Sequence, residues 1–239
     1  MQYPYDWVRA VFQSRPNRFI ALLDIEGETV RAHVPNTGRM KELLIPGTVC
    51  YCSHHPGTTR KTEYELRLVE YNGRLVSIDS QLPNRLAREA LQDGLFGQLE
   101  GVSDVRSEVT FGNSRFDLSF RLGDQPGLAE VKGVTLAREG WGYFPDAPTQ
   151  RGTKHLRELI RARQEGYETL VLFVLQNSHG KGLSPSRDTD PAFTEALEEA
   201  RAAGVRLYAL RTLTNLAETK ATGLCPVALK GPTDEQRNH

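Results

Sequence analysis

The chain changes its periodicity once, near Pro83, and that change limits it to a β-rich first part followed by a mixed second part. From Arg18 to about Ser80, short apolar stretches are separated by glycine and proline at spacings that suit strands. Glu26-Gly27-Glu28 makes a tight turn between two apolar stretches, and Tyr71-Asn72-Gly73-Arg74 is a hairpin signal, because Asn-Gly tolerates positive φ. Met40 to Leu44 is a short helical candidate. After Pro83, Leu86, Ala87, Ala90 and Leu91 make one helical stripe, with Asn84 placed to cap its start. The reading is a barrel domain over residues 1–81, a second domain over 82–229 and a frayed polar tail over 230–239.

Within the second domain, strands are predicted at about Val102 to Thr110, Ser114 to Leu122 and Gly127 to Leu136. Thr153 can cap a helix in which Leu156, Leu159 and Ile160 form the buried stripe. Thr169 to Leu175 reads as a strand buried on both faces and joined to the sheet by that crossover helix. Asp190 as N-cap, Pro191 at the first helical position and Gly204 at the end bracket another helix, and Val205 to Leu210 reads as a final strand. This is an α+β arrangement, a mixed sheet flanked by helices. In the first domain, five strands and one interrupting helix suggest an oligonucleotide-binding (OB) type of barrel, although other small barrels fit too.

The chemistry sits on two of these strands. Phe116, Leu118 and Phe120 alternate with polar residues, so Asp117 points away from their face, while Glu130 and Lys132 share one face of the next strand. Two acids and an amine can supply what phosphodiester hydrolysis needs: ligands for a hard cation, an oriented water and charge stabilisation. Magnesium, or manganese, takes one or two carboxylates and completes its shell with water and phosphate. Asp117 and Glu130 are thus the candidate metal ligands, Lys132 the water-positioning or charge-stabilising group, and Glu89 an accessory acid at the edge of its helical stripe. A solvated sheet face is the plainer reading of the same residues. A hairpin centred on Gln125 would also set Asp117 opposite Gly133, with Glu130 about three residues, roughly 10 Å, along the strand. A bulge, twist or asymmetric loop would have to close that gap.

The order of helix, three-stranded meander, crossover helix and strand resembles the core of the PD-(D/E)xK nucleases. His33-Val34-Pro35-Asn36-Thr37-Gly38-Arg39-Met40, Leu82-Pro83-Asn84-Arg85-Leu86, Ser114-Arg115-Phe116-Asp117, Ala129-Glu130-Val131-Lys132-Gly133-Val134-Thr135-Leu136 and the run from Phe144 to Leu159 closely resemble the sugar fermentation stimulation protein A (SfsA) family. The resemblance spans nearly the whole chain. It implies an N-terminal OB-like domain, a PD-(D/E)xK nuclease-like domain and DNA binding, with a link to sugar-metabolism genes, maltose use in particular. A non-catalytic DNA-binding regulator therefore stands beside the metal-dependent nuclease. The family pattern often has Cys before Pro-Asn-Thr-Gly and Asn after Glu-Val-Lys, where this chain has Val34 and Gly133.

Global charge is silent, since Lys plus Arg equal Asp plus Glu at 30 each, so attraction to phosphate must come from local clustering. The crossover helix offers it: Arg151, Lys154, Arg157, Arg161 and Arg163 face a single Glu158, a net charge of +4. The candidate nucleic-acid contacts are Arg18, Asn36, Arg39, Arg115, Gln150, Arg151, Lys154, His155 and Arg157; an ordinary solvated face accounts for the same cations. Pro35-Asn36-Thr37-Gly38 can present N–H groups to an anion or serve as a structural turn. Trp141, Tyr143 and Phe144 can stack on bases or pack on the sheet. Cys50, Cys52 and Cys225 lack zinc spacing and read as buried thiols. No apolar run is long enough for a membrane span, which suits a cytoplasmic protein. Oligomeric state stays open, a homodimer included.

Overall fold

The computed structural model describes residues 1–57, 61–97, 99–177 and 180–231; the expected frayed tail lies, from residue 232, outside the described residues. Two compact units emerge: Met1–Leu82 with Leu213–Lys220, and Pro83–Thr212 with the segment from Ala221 onward.

The first unit is built from β1 (Trp7–Asn17), β2 (Ile20–Ile25), β3 (Glu28–His33), β4 (Val49–His54), β5 (Tyr64–Tyr71) and β6 (Arg74–Ser77) in the order β3-β2-β1-β4-β5-β6. A short parallel pairing of Ala32 with Tyr64 and His33 with Glu65 joins β3 to β5 and closes the barrel. Inward positions alternate along the strands, so Ala21, Leu23, Cys50, Cys52, Leu66 and Leu68 are fully buried. The Asn72-Gly73 hairpin forms as predicted, with φ of 49° and 71° at its two central residues.

Two expectations need correction here. β1 begins at Trp7, well before Arg18; the alternation that carries it is Ala10 and Phe12, both buried, interleaved with exposed Arg9 and half-buried Gln13. Met40 to Leu44 is a single turn rather than a helix: Leu43 N and Leu44 N both donate to Met40 O (3.1 and 2.9 Å), and Pro46 with Gly47 ends it. Five residues cannot repay helix nucleation.

The second unit carries α1 (Leu82–Gln92), β7 (Val102–Phe111), β8 (Ser114–Leu122), β9 (Gln125–Val134), β10 (Ala137–Arg138), β11 (Trp141–Phe144), α2 (Gln150–Gln164), β12 (Glu168–Leu175), β13 (Gly182–Pro185), α3 (Pro191–Ala202), β14 (Arg206–Thr214) and β15 (Thr219–Cys225). Its main sheet runs β15-β14-β12-β9-β8-β7, antiparallel through the β7-β8-β9 meander and parallel where β12 joins β9 and β14. All eight residues of β12 are buried, as expected of a strand covered on both faces. Leu156 and Leu159 of α2 and Phe193 and Leu197 of α3 pack with Phe116, Leu128 and Phe173 of the sheet in one core.

Here too the structure departs from expectation. Thr149, not Thr153, caps α2: its side chain accepts from Gly152 N at 3.0 Å, while the Thr153 hydroxyl donates back to Thr149 O. Asn84 lies inside α1 rather than at its cap. Val205 to Leu210 is not the last strand, because β15 follows; its Thr-Lys-Ala-Thr-Gly-Leu-Cys sequence is that of a polar sheet edge and gives little apolar signal. The small sheet β10-β11-β13 has strands of two to four residues, too short for periodicity to reveal. Asp190 and Pro191 start α3 as predicted, with Asp190 Oδ1 accepting from Phe193 N at 3.0 Å. No helix among the described residues is long and apolar enough to cross a membrane.

Candidate metal and nucleic-acid site

The turn between β8 and β9 decides how the two acids meet. Leu122 pairs with Gln125, so the loop is only Gly123-Asp124, and Gly123 takes φ 60°. Glycine at the first central position with positive φ suits a two-residue hairpin loop. The hairpin is therefore centred between Gly123 and Asp124, one and a half residues before the predicted Gln125, and the expected offset of about 10 Å disappears. Pairing runs from Leu122↔Gln125 to Leu118↔Ala129, which places Asp117 and Glu130 next in register. Phe116, Leu118 and Phe120 are buried as the alternation requires.

Around the two carboxylates is a compact polar cluster. Asp117 Oδ2 accepts from Val131 N at 2.8 Å and Oδ1 from Asn84 Nδ2 at 3.0 Å. Glu130 is 3% exposed, and its Oε1 takes both the Lys132 ammonium and His155 Nδ1, each at 2.5 Å. Its Oε2 is buried with no hydrogen-bond partner among the described residues. The cluster splits the acids electrostatically. Burial pushes the Asp117 carboxyl above its usual range, and the Glu130 charge pushes it further, outweighing Val131 N–H, Lys132 and Asn84. Burial acts the same way on Glu130, but the hydrogen bond from His155 together with Lys132 holds it below the carboxylate range.

The oxygen donors fit a hard divalent cation: two carboxylates from adjacent strands, one of them with an orphaned buried oxygen. Among the described residues no three His, Cys, Asp or Glu side chains gather as a ligand set. A cation held by Asp117 and Glu130 would complete its shell with water and phosphate oxygens, the usual habit of magnesium.

The other named residues divide clearly. His155 is 5% exposed and packs beside the Phe116 ring at 5.6 Å, so it orients Glu130 instead of meeting solvent. Glu89 is exposed on α1. Gln150, Lys154 and Arg157 line a cleft of about 410 Å³ at the start of α2, and the exposed Arg151 lies one turn before His155. Arg161 and Arg163 are occupied by Glu165 and Glu168, at 3.0 and 2.8 Å. Arg115 makes an exposed pair with Glu108 on β7 at 3.3 Å.

In the barrel unit, both ends of the Asn36 amide are used within the fold: Nδ2 donates to Ile78 O and Oδ1 accepts from Gly38 N. Arg15 braces the same loop by donating to the carbonyls of Asn36, Gly38 and Arg39. That brace is one the sequence did not reveal. Arg18 and Arg39 are exposed. Phe144 sits against Phe173 and Phe193 (5.8 and 5.2 Å) rather than in solvent.

Residues 14–78 match the SfsA N-terminal OB domain, and residues 81–218 match the sugar fermentation stimulation protein RE domain. The chain belongs to the SfsA family. A sugar fermentation stimulation protein homolog of Desulforamulus reducens is 42% identical over 222 residues, covering 93% of this chain and 92% of that protein. The Clostridium tetani homolog is 46% identical over 204 residues, covering 84% and 88%. The structure of Pyrococcus furiosus SfsA in complex with Ca2+ superposes with a TM-score of 0.86 at 30% identity, covering 95% of this chain and 98% of that one. The OB-type barrel and the mixed sheet expected from the sequence are thus those of the family.

Proposed function

We propose that this SfsA-family protein binds DNA and hydrolyses phosphodiester bonds with a divalent cation, magnesium or manganese, held by Asp117 and Glu130. The observation that carries the reading is the Glu130 carboxylate, 3% exposed, with Oε1 clamped by Lys132 and His155 and Oε2 buried without a partner. A buried acceptor left unmatched is costly, and a cation matches it while relieving the repulsion that raises the Asp117 pKa. The Ca2+ complex of the Pyrococcus furiosus protein supports a divalent cation in this family.

When bound, the cation would polarise a phosphate oxygen and make a coordinated water acidic. The chain's own groups do the rest. Asn84 and Val131 N–H aim the Asp117 carboxylate, and His155 holds the Glu130 carboxylate from the α2 side. Lys132 puts an ammonium beside the site, where it can stabilise charge growing on the phosphate or hold the attacking water. Arg151, Lys154 and Arg157 supply exposed cations for backbone phosphates, which position the strand without reading sequence.

The test is incubation of wild type, Glu130→Ala and Asp117→Asn with end-labelled single- and double-stranded DNA and RNA, in magnesium, manganese or chelator. Cleavage is expected only with metal and only in wild type, with binding kept in both variants. Equal cutting by Glu130→Ala would overturn the assignment. Binding without cutting on every substrate would leave a regulator that uses the same fold.

A further inference from the structure

We infer that Gly133 is a positioning residue for the metal site proposed above: having no side chain, it lets the first turn of α1 seat directly on β9, and that seat aims Asn84 at Asp117. The inference rests on that site but concerns residues outside its ligands, all of them in the second unit. The Asp117 carboxylate has anchors on two elements. Val131 N of β9 donates to Oδ2 at 2.8 Å, and Asn84 Nδ2 of α1 donates to Oδ1 at 3.0 Å. Where the carboxylate points therefore depends on how far α1 stands from β9. A retreat of α1 by about half an ångström would take the Asn84 bond out of hydrogen-bonding range.

That spacing is set one residue away. Pro83 precedes Asn84 in the first turn of α1 and is buried. A Cβ at position 133 would fall 2.8 Å from Pro83 Cγ and 2.7 Å from Gln176 Oε1, both closer than side chains approach without something moving. The two obstacles differ in cost. Gln176 Oε1 is the far end of a flexible side chain and can swing aside. The Pro83 ring is rigid and fixes its own backbone φ, so relief there means shifting the first turn of α1, and Asn84 with it. Gly133 is not among the glycines with positive φ, so turn geometry does not call for glycine here; the close approach does. Its backbone is exposed, so the residue does not fill a core position either. An Asn, frequent at this place in the family pattern, could not be seated here without the same shift.

Groups that hold a metal ligand in place without touching the metal typically carry about 10- to 100-fold in metal affinity. Gly133 acts one step further out, through Pro83 and Asn84. Its effect on the cation therefore runs through the Asn84 hydrogen bond and must vanish once that bond is gone.

The experiment is calorimetric titration of the full chain with manganese chloride alone, with thermal melts in chelator confirming that each variant is folded. Wild type is compared with Gly133→Ala, Asn84→Ala, the two combined, Pro83→Ala, Gly97→Ala and Asp117→Asn. Gly133→Ala and Asn84→Ala should each weaken manganese binding roughly tenfold or more. Combined, they should bind no more weakly than Asn84→Ala alone, because both act through one hydrogen bond. Gly97, with nothing within 4 Å of where its Cβ would lie, is the control, and its alanine variant should bind as wild type. Pro83→Ala loosens the seat without crowding it and serves where Gly133→Ala does not fold; it should weaken binding severalfold. Wild-type affinity in Gly133→Ala or in Pro83→Ala, or a further full loss when Gly133→Ala is added to Asn84→Ala, would overturn the inference. Binding lost in Asp117→Asn but unchanged in Gly133→Ala sinks this inference alone. Absence of binding in wild type, or full binding by Asp117→Asn, sinks the metal site and this inference together. The expected pattern of affinities without cleavage of any nucleic acid sinks the hydrolytic reading alone.

Discussion

Asp117 and Glu130 neighbour one another across adjoining strands, yet their surroundings give them opposite preferences for the proton. Glu130 has a depressed pKa, so its ionised form stabilises the fold above the ordinary carboxylate range, and that contribution is lost as pH falls through the folded value. Asp117 has a raised pKa, so its favourable contribution exists below the ordinary range and is lost as pH rises through the folded value. Without metal at pH 7.5, Glu130→Gln is therefore expected to lower stability by about 1.5–3 kcal/mol, the usual worth of hydrogen bonds to a charged group. Asp117→Asn is expected to leave stability unchanged or raise it. Thermal melts in chelator from pH 7.5 down to about 4 would check this, since both differences should shrink in acid. At this scale the chain displayed its acids and its lysine openly, because alternation fixes which residues share a strand face. Their supports were hidden. Asn84 lies 33 residues from Asp117 and His155 lies 25 from Glu130, separations that no local pattern encodes.

On the proposed reading, α2 is one element that serves both fold and ligand. Its buried side puts His155 on Glu130, and its exposed side carries Arg151, Lys154 and Arg157. Replacing Arg151 and Arg157 together with alanine should flatten the salt dependence of duplex binding by about 1.8, if each meets one phosphate, and leave the melting temperature almost unchanged. Removing the cap should do the reverse: Thr149→Ala should cost about 1 kcal/mol of stability by chemical denaturation, with the salt slope intact. Element type was readable in this region because the Leu156 and Leu159 stripe has helical spacing. The cap was misread because Thr149 and Thr153 are one turn apart and both suit an N-terminus. The hairpin before α2 was misread for a related reason: Gly123-Asp124-Gln125-Pro126-Gly127 is all turn-forming, and the actual choice of Gly123-Asp124 follows from pairing Leu118 to Leu122 along β9.

For the molecule as a whole, a cation that binds only the folded site must stabilise it by mass action. Magnesium, manganese or calcium at about 100 times its dissociation constant should add about 2.7 kcal/mol, and the melting temperature should rise by several degrees. Asp117→Asn should abolish the rise, and an equal rise in that variant would place the cation elsewhere. Composition and periodicity alone settled that a β-barrel part precedes a helix-and-strand part, since periods of two and 3.6 residues are local properties of a chain. Residue type alone likewise named the acids, the amine and the basic helix. What folding had to decide was register, closure and partnership. The β3–β5 contact that shuts the barrel, the two-residue turn that brings Asp117 beside Glu130, and the clamp of Glu130 by His155 each join residues distant in sequence. Such choices are set by packing and by burial of polar groups, whose energies depend on neighbours that exist only once the chain has folded.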